Sequence, residues 1–227
     1  MRTISFISSK GGVGKSTLAL HVGVAAHLLG LQVGIVDLDK QASATKWSMR
    51  RGSGPLVASN HAPLLPGMLN AAQANGADLV IIDTAGHSAD ESALIASKHS
   101  DLVIIPVRPA VFDLEAVAAT HDLAKLNRKR AVALVNGAHS RSDIAVAQAQ
   151  SGLRESGLET VPVTIHTRSI FAASLIDGRT AMEHEPEGKA AKEILALVRW
   201  ISGELNLGIT APPRNRFPSE PLTRRAA

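Results

Sequence analysis

The chain is expected to fold as a single α/β domain, a mostly parallel twisted sheet with helices on both faces. Three observations predict this. Short apolar, β-branched runs alternate with longer helical patterns along the 227 residues, which implies right-handed βαβ crossovers. Runs such as Leu79-Val80-Ile81-Ile82 are continuously apolar, as strands buried on both faces are. Hydrophobic residues make up 45% and charged residues 19%, so the chain can fill a core and is not of disordered type.

The strands are expected at 3–8, Gln32–Asp37, Asp78–Asp83, Leu102–Val107 and Ala131–Asn136, with a weaker one at Val161–Ile165. Residues 55–58 could add an edge strand within a Gly/Pro-containing connector. Helical patterns cover 15–29, 41–50, 65–75, 88–98, 113–127, 142–156, 169–177 and 188–205. From Gly203 the apolar periodicity stops. Asn206 to Ala227 holds four prolines and four arginines. The division expected is therefore a folded domain over 1–203 and a flexible, basic tail over 204–227.

Composition removes several classes of function. With no cysteine, a disulfide framework, a thiolate zinc site and a cysteine-held iron–sulfur cluster are excluded. No apolar stretch approaches the ~18 residues a membrane span needs, and Met1-Arg2-Thr3-Ile4 lacks a signal-like apolar region. A cytoplasmic location is expected. The net charge of +4 is compatible with an anionic polymer partner and equally with plain solubilising charge.

In a parallel sheet, ligands sit at the carboxyl ends of the strands, and every chemical motif of this chain lies at such an end. Lys10-Gly11-Gly12-Val13-Gly14-Lys15-Ser16-Thr17 follows the first strand and opens the first helix. Glycines let successive N–H groups curl around phosphate oxygens, and the helix N-terminus adds its positive end. Lys15 can reach β- and γ-phosphates, and Ser16 can offer a hydroxyl to Mg²⁺. This makes the fold class a P-loop NTPase. The loop also departs from G-x-x-x-x-G-K-[ST]: Ser9 stands where the first glycine belongs, and a second lysine, Lys10, stands at the entrance.

Asp37 and Asp39 end the second strand, and alternation puts both on the side facing the loop. A bare D-x-D is often only a solvated strand end. Beside a phosphate loop it suits metal waters and an attacking water. Val80-Ile81-Ile82-Asp83 has the form of a Walker B strand, with Asp83 as the Mg²⁺-supporting carboxylate. Gly86 suits a switch whose backbone N–H approaches the γ-phosphate. Pro109 ends the ladder after Ile104-Ile105-Pro106-Val107-Arg108. Asn136, before Gly137, could read a purine edge through its amide or simply form a turn. His21 and His27 fall within the first helix, where a structural role is expected.

Four strings, KGGVGKST at 10–17, DLDKQASAT at 37–45, IIDTAG at 81–86 and PVRPAVFDLEAV at 106–117, resemble the ParA/MinD family of deviant-Walker-A ATPases. The chain looks most like the short ParA-type proteins of plasmid and chromosome partition. An N-terminal helix-turn-helix domain is not expected, since the ATPase motifs begin at once. The resemblance covers residues 1–203. It implies ATP and Mg²⁺ as cofactors and an ATP-sandwich homodimer. Lys10 would cross to the partner's phosphates, Lys15 would bind β/γ-phosphate, and Asp39 would orient the hydrolytic water. Ser16, Asp37 and Asp83 would serve the metal. Thr17 would touch the α-phosphate and Asn136 the adenine, with Gly11, Gly12, Val13, Gly14, Gly86 and Pro109 completing the nucleotide contacts. Lys40 stands where the family often has proline, and Thr84-Ala85 where many members have two prolines.

The resemblance further implies non-specific DNA binding by the ATP dimer, hence a nucleoid-associated protein. A centromere-binding or adaptor partner would stimulate hydrolysis. Arg168 and Arg179 are the DNA-contact candidates. With no tyrosine and 3% aromatics, contact would be to phosphates rather than stacked bases. No membrane partner is expected, because the Pro-rich tail cannot hold an amphipathic helix. Positioning of a protein complex, microcompartment or conjugative-transfer assembly is the nearest alternative. A metabolic P-loop ligase or a GTPase is the alternative of another class, although Asn136-Gly137-Ala138-His139 is not the N-K-x-D a GTPase would want.

Overall fold

The computed structural model describes residues 1–86 and 91–209, without the side chains of 111–116. Eight strands form one sheet: β1 (Arg2–Phe6), β2 (Val33–Asp37), β3 (Leu56–Ser59), β4 (Leu79–Asp83), β5 (Leu102–Val107), β6 (Ala131–Ala138), β7 (Glu159–Thr160) and β8 (Ile165–His166). Their order is β3-β2-β4-β1-β5-β6-β7, and β8 pairs with β6 further along. Every pairing is parallel. The chain starts in the middle of the sheet and winds outward in both directions, so the carboxyl ends of β1, β2, β4 and β5 converge on one edge.

The helices are α1 (Lys15–Leu28), α2 (Ser43–Ser48), α3 (Leu65–Ala74), α4 (Glu91–Lys98), α5 (Val111–Leu126), α6 (Asp143–Glu155), α7 (Ser169–Ala173), α8 (Ala181–His184) and α9 (Lys189–Leu205). Alternate residues of each central strand feed two separate cores. Ile4, Phe6, Ile35, Leu79, Ile81, Leu102 and Ile104 pack with α1, α2, α8 and α9. Val36, Val80, Ile82, Val103 and Ile105 pack with α3 to α6. This is why those strands read as unbroken apolar runs. The buried stripe of α9, Ala190, Ala191, Ile194, Leu197, Val198, Ile201 and Leu205, follows the 3.6-residue period and faces the sheet.

Three expectations are corrected. The weak strand at 161–165 is two short strands, β7 and β8, separated by Val161–Thr164; Pro162 has no N–H to give the ladder. The helix expected over 169–177 breaks after Ala173 into a 3-10 turn, Ser174–Asp177, which ends on Gly178 in the left-handed region. The helix expected over 41–50 begins only at Ser43, because Lys40 to Ala42 form a turn closed by Ala42 N–H on the Asp39 carbonyl, 2.8 Å. The edge strand expected at 55–58 is β3, Leu56–Ser59, and α8 had no sequence signal. α9 ends at Leu205, and Leu207 and Ile209 pack back on the core. Residues 88–90 of the fourth expected helix and 210–227 of the expected tail lie outside the described residues. Among the described residues no helix is long and apolar enough to cross a membrane.

Candidate functional site

The loop between β1 and α1 lines a cavity of about 450 Å³ at the carboxyl edge of the sheet. Its walls are Gly11, Gly12, Gly14, Lys15, Ser16, Thr17, Asp39, Gln41, Thr84, Ala85 and Gly86. Three sequence-distant motifs therefore meet at one opening. The junction is tight. A Cβ on Gly86 would stand 2.8 Å from the Gly11 Cα and 3.3 Å from Lys15 Nζ, so only glycine fits between the two loops.

Lys15 is buried, and its Nζ donates to the Lys10 carbonyl at 3.1 Å. Burial lowers its pKa, against the opposing pull of Asp83 and Asp39. Lys10 is half-buried at the loop entrance, with its backbone N–H on Ser8 Oγ, 3.3 Å. Val13 is buried, and its carbonyl accepts from the Asn136 amide at 2.6 Å. Asn136 is thus spent at least partly on bracing the loop. Pro109 and Asn136 lie outside the cavity lining.

The three aspartates differ sharply. Asp39 lines the cavity and accepts from the Gln41 N–H at 2.9 Å. Asp37 is fully buried and does not line it. One of its oxygens accepts from the Asp39 N–H at 3.1 Å; the other accepts the Thr45 N–H at 2.9 Å and the Thr45 hydroxyl at 3.0 Å. The expectation that Asp37 and Asp39 face the loop side by side is corrected: Asp37 points at the start of α2 and holds the loop that presents Asp39. Asp83 is fully buried, and neither carboxylate oxygen closes a hydrogen bond. Burial pushes it up to about 7, offset in part by the nearby Ser16 hydroxyl and Lys15, while Asp37 and Asp39 push it higher.

A buried carboxylate with two unmatched oxygens, beside a serine hydroxyl and a phosphate loop, fits a divalent cation. Among the described residues no group of three or more His, Asp or Glu could hold a metal ion unaided. Phosphate oxygens and waters would have to complete the shell, which suits Mg²⁺ arriving with a nucleotide.

Sequence reasoning missed Arg108, whose guanidinium donates to the Gly12 carbonyl across the loop, and Thr45, whose only signal was its place in the DLDKQASAT string. The DNA candidates are not free cations. Arg168 reaches Glu193 at 2.5 Å, and the same carboxylate holds His166 at 2.9 Å. Arg179 pairs with Asp177 at 2.5 Å. His21 is structural as expected: its Nδ1 donates to the Thr17 carbonyl at 2.8 Å, its ring meets Phe171 edge-on, and burial lowers its pKa to about 4.

Comparison with known proteins gives concordant results. The model of the CobQ/CobB/MinD/ParA nucleotide binding domain matches residues 4–207. The Maintenance of carboxysome distribution protein A of Gloeobacter kilaueensis is 30% identical over 210 residues, covering 90% of this chain and 94% of that protein. The chromosome-partitioning ATPase Soj of Thermus thermophilus is 27% identical over 244 residues, covering 88% and 97%. Among solved structures, the septum site-determining protein MinD from Pyrococcus horikoshii, complexed with Mg-ADP, superposes with a TM-score of 0.72 at 18% identity, covering 93% of this chain and 99% of that one.

Proposed function

We propose, from the premise that this chain belongs to the CobQ/CobB/MinD/ParA nucleotide-binding family, that it is a ParA-type partition ATPase, a switch that holds DNA in its ATP form and lets go on hydrolysis. The observation that carries the reading is the buried, unmatched Asp83 carboxylate near the Ser16 hydroxyl and Lys15 of a glycine loop closed by Gly86. In this reading Lys15 binds the β- and γ-phosphates, Thr17 the α-phosphate, and Ser16 with Asp83 holds Mg²⁺. The ion, when bound, neutralises phosphate charge. Asp39 orients the attacking water. Asp37 acts one step back, through Thr45 and the Asp39 N–H. Lys10 reaches the phosphates of a second copy, which makes the ATP form a dimer.

DNA contact then rests on phosphate neutralisation by exposed cations such as Arg141, Arg154, Lys189 and Arg199, since Arg168 and Arg179 already hold carboxylates. A partner protein accelerates hydrolysis and so sets the lifetime of the bound state. A second reading has its own support. The 30% identity to a carboxysome-distribution protein favours positioning of a large protein-bound cargo by the same switch. Both readings share the DNA-bound ATP form.

The test is retention of the protein on duplex DNA with Mg-ATP, with Mg-ADP and with no nucleotide. Retention should need ATP and fall steeply with salt, by about 0.9 log units per tenfold salt for each phosphate contact. Equal retention in all three states, or a flat salt response, would sink the proposal.

A further inference from the structure

Asp39 sits on a short turn between β2 and α2, so its position depends on where α2 is held. The turn is over-determined at its near end. Ala42, a non-glycine residue at φ 52°, opens α2 in the left-handed region, and Thr45 is bonded twice to Asp37. Such a conformation persists only where surrounding structure enforces it.

The far end of α2 is held by a segment more than 120 residues away. The Arg51 guanidinium meets the Glu183 carboxylate in a bidentate pair, 2.9 Å on each arm. The side chains are only 5% and 12% exposed. The same guanidinium donates to the Gly178 carbonyl at 2.9 Å and the Gly54 carbonyl at 2.8 Å, and its carbon lies 5.1 Å from the ring centre of the buried Trp47. The indole N–H of Trp47 reaches the Arg179 carbonyl at 3.4 Å, and Arg50 reaches the Leu175 carbonyl at 3.2 Å. Glu183 is itself fixed as the capping-box residue of α8 by Thr180. Gly178, at φ +80°, lets the two backbones touch: a Cβ there would stand 2.6 Å from the Arg50 carbonyl oxygen and 2.9 Å from the Arg51 nitrogen.

We infer that the Arg51–Glu183 pair, closed over Trp47 and Gly178, is a positioning clamp for Asp39. It fixes α2, and through α2 the turn that aims the Asp39 carboxylate. Hydrolysis depends on the clamp and nucleotide binding does not, because the phosphate loop is braced separately by Asn136 and Arg108. A planar fork is needed rather than a point charge, since four hydrogen bonds from one guanidinium serve one carboxylate and two carbonyls in fixed directions. The inference rests on the reading that Asp39 orients the attacking water. It also gives the 174–183 segment a route to the site: a ligand that shifts this segment moves α2 and changes the hydrolysis rate.

The experiment measures single-turnover ATP hydrolysis and fluorescent-ATP affinity on the full chain for Arg51→Lys, Glu183→Gln and Asp39→Ala. Misplacing a catalytic group by about an ångström can cost about a hundredfold in rate. Arg51→Lys and Glu183→Gln are therefore expected to lose at least about tenfold in hydrolysis while ATP affinity holds within about twofold. If both hydrolyse at the parent rate and Asp39→Ala does not, the clamp is overturned and the role of Asp39 stands. If Asp39→Ala hydrolyses at the parent rate, the reading beneath the clamp fails with it. A parallel fall in ATP affinity also overturns it, since the pair would then only support the whole site. Should either single variant fail to fold, Arg51→Gln/Glu183→Gln leaves no buried charge, and the same split between rate and affinity is required of it.

Discussion

Replacing Asp83 by asparagine should stabilise the nucleotide-free protein and at the same time destroy its Mg²⁺-dependent hold on ATP. The Asp83 carboxylate is fully buried with neither oxygen matched. Burial raises its pKa from 3.8 to about 7. A group that binds its proton more tightly in the folded state destabilises the fold once it must ionise. The sign follows: stability falls as pH rises from about 4 to about 7, then stays level. Three units at 1.36 kcal/mol each set a ceiling of about 4 kcal/mol. The asparagine amide must still be buried, which takes back about 1–3 kcal/mol. A net gain of about 1–3 kcal/mol is therefore expected at pH 8, read from urea midpoints without nucleotide or magnesium. At pH 4 the gain should turn into a loss of about 1–3 kcal/mol, because the parent is then protonated and only the cost of burying the amide remains. Nucleotide affinity in Mg²⁺ should fall in the same variant. An asparagine protein less stable than the parent at pH 8, or a difference that does not change with pH, would refute the reasoning.

Gly86→Ala should lose ATP binding by at least about tenfold while the fold melts cooperatively, because the new Cβ would meet Gly11 at 2.8 Å; normal equilibrium binding would show that the two loops part freely. His21 is held neutral with its pKa near 4, so its contribution is present above its unfolded value of 6.5 and is lost as pH falls toward 4, by about 3 kcal/mol in all. His21→Phe should remove that part of the acid sensitivity in a pH series of thermal melts. Arg168→Ala should lower stability by about 1–3 kcal/mol, since it strands Glu193 beside His166, and should change the salt slope of DNA retention by less than one phosphate contact. A loss of a full contact would restore it as a DNA residue.

The sequence was most informative where function is local. The phosphate loop, the two aspartate-ending strands and Gly86 each carry their signal within a few residues, and the parallel sheet then gathers them at one edge. Asp37 shows the limit. Both aspartates were expected to end one strand, but β2 stops at Asp37, Asp39 stands beyond it, and the turn at Lys40–Ala42 gives Asp37 to Thr45 instead of the cavity. Arg168 shows another limit: its charge is visible in sequence, and its cancellation by Glu193, 25 residues later, is not. The Arg51–Glu183 pair spans 132 residues, so no window on the sequence joins it. Short elements escaped for a related reason. Four residues of α8 hold one turn, too little for an apolar period to show.

In the proposed switch, ATP draws two copies together through Lys10, the lysine that the loop adds at its entrance. Light scattering of the full chain, 23.8 kDa as a monomer, measures this directly. With Mg-ATP the mass should double, with Mg-ADP it should stay monomeric, and Lys10→Ala should remain monomeric in Mg-ATP while still binding nucleotide. A Lys10→Ala protein that dimerises with ATP as the parent does would contradict the account.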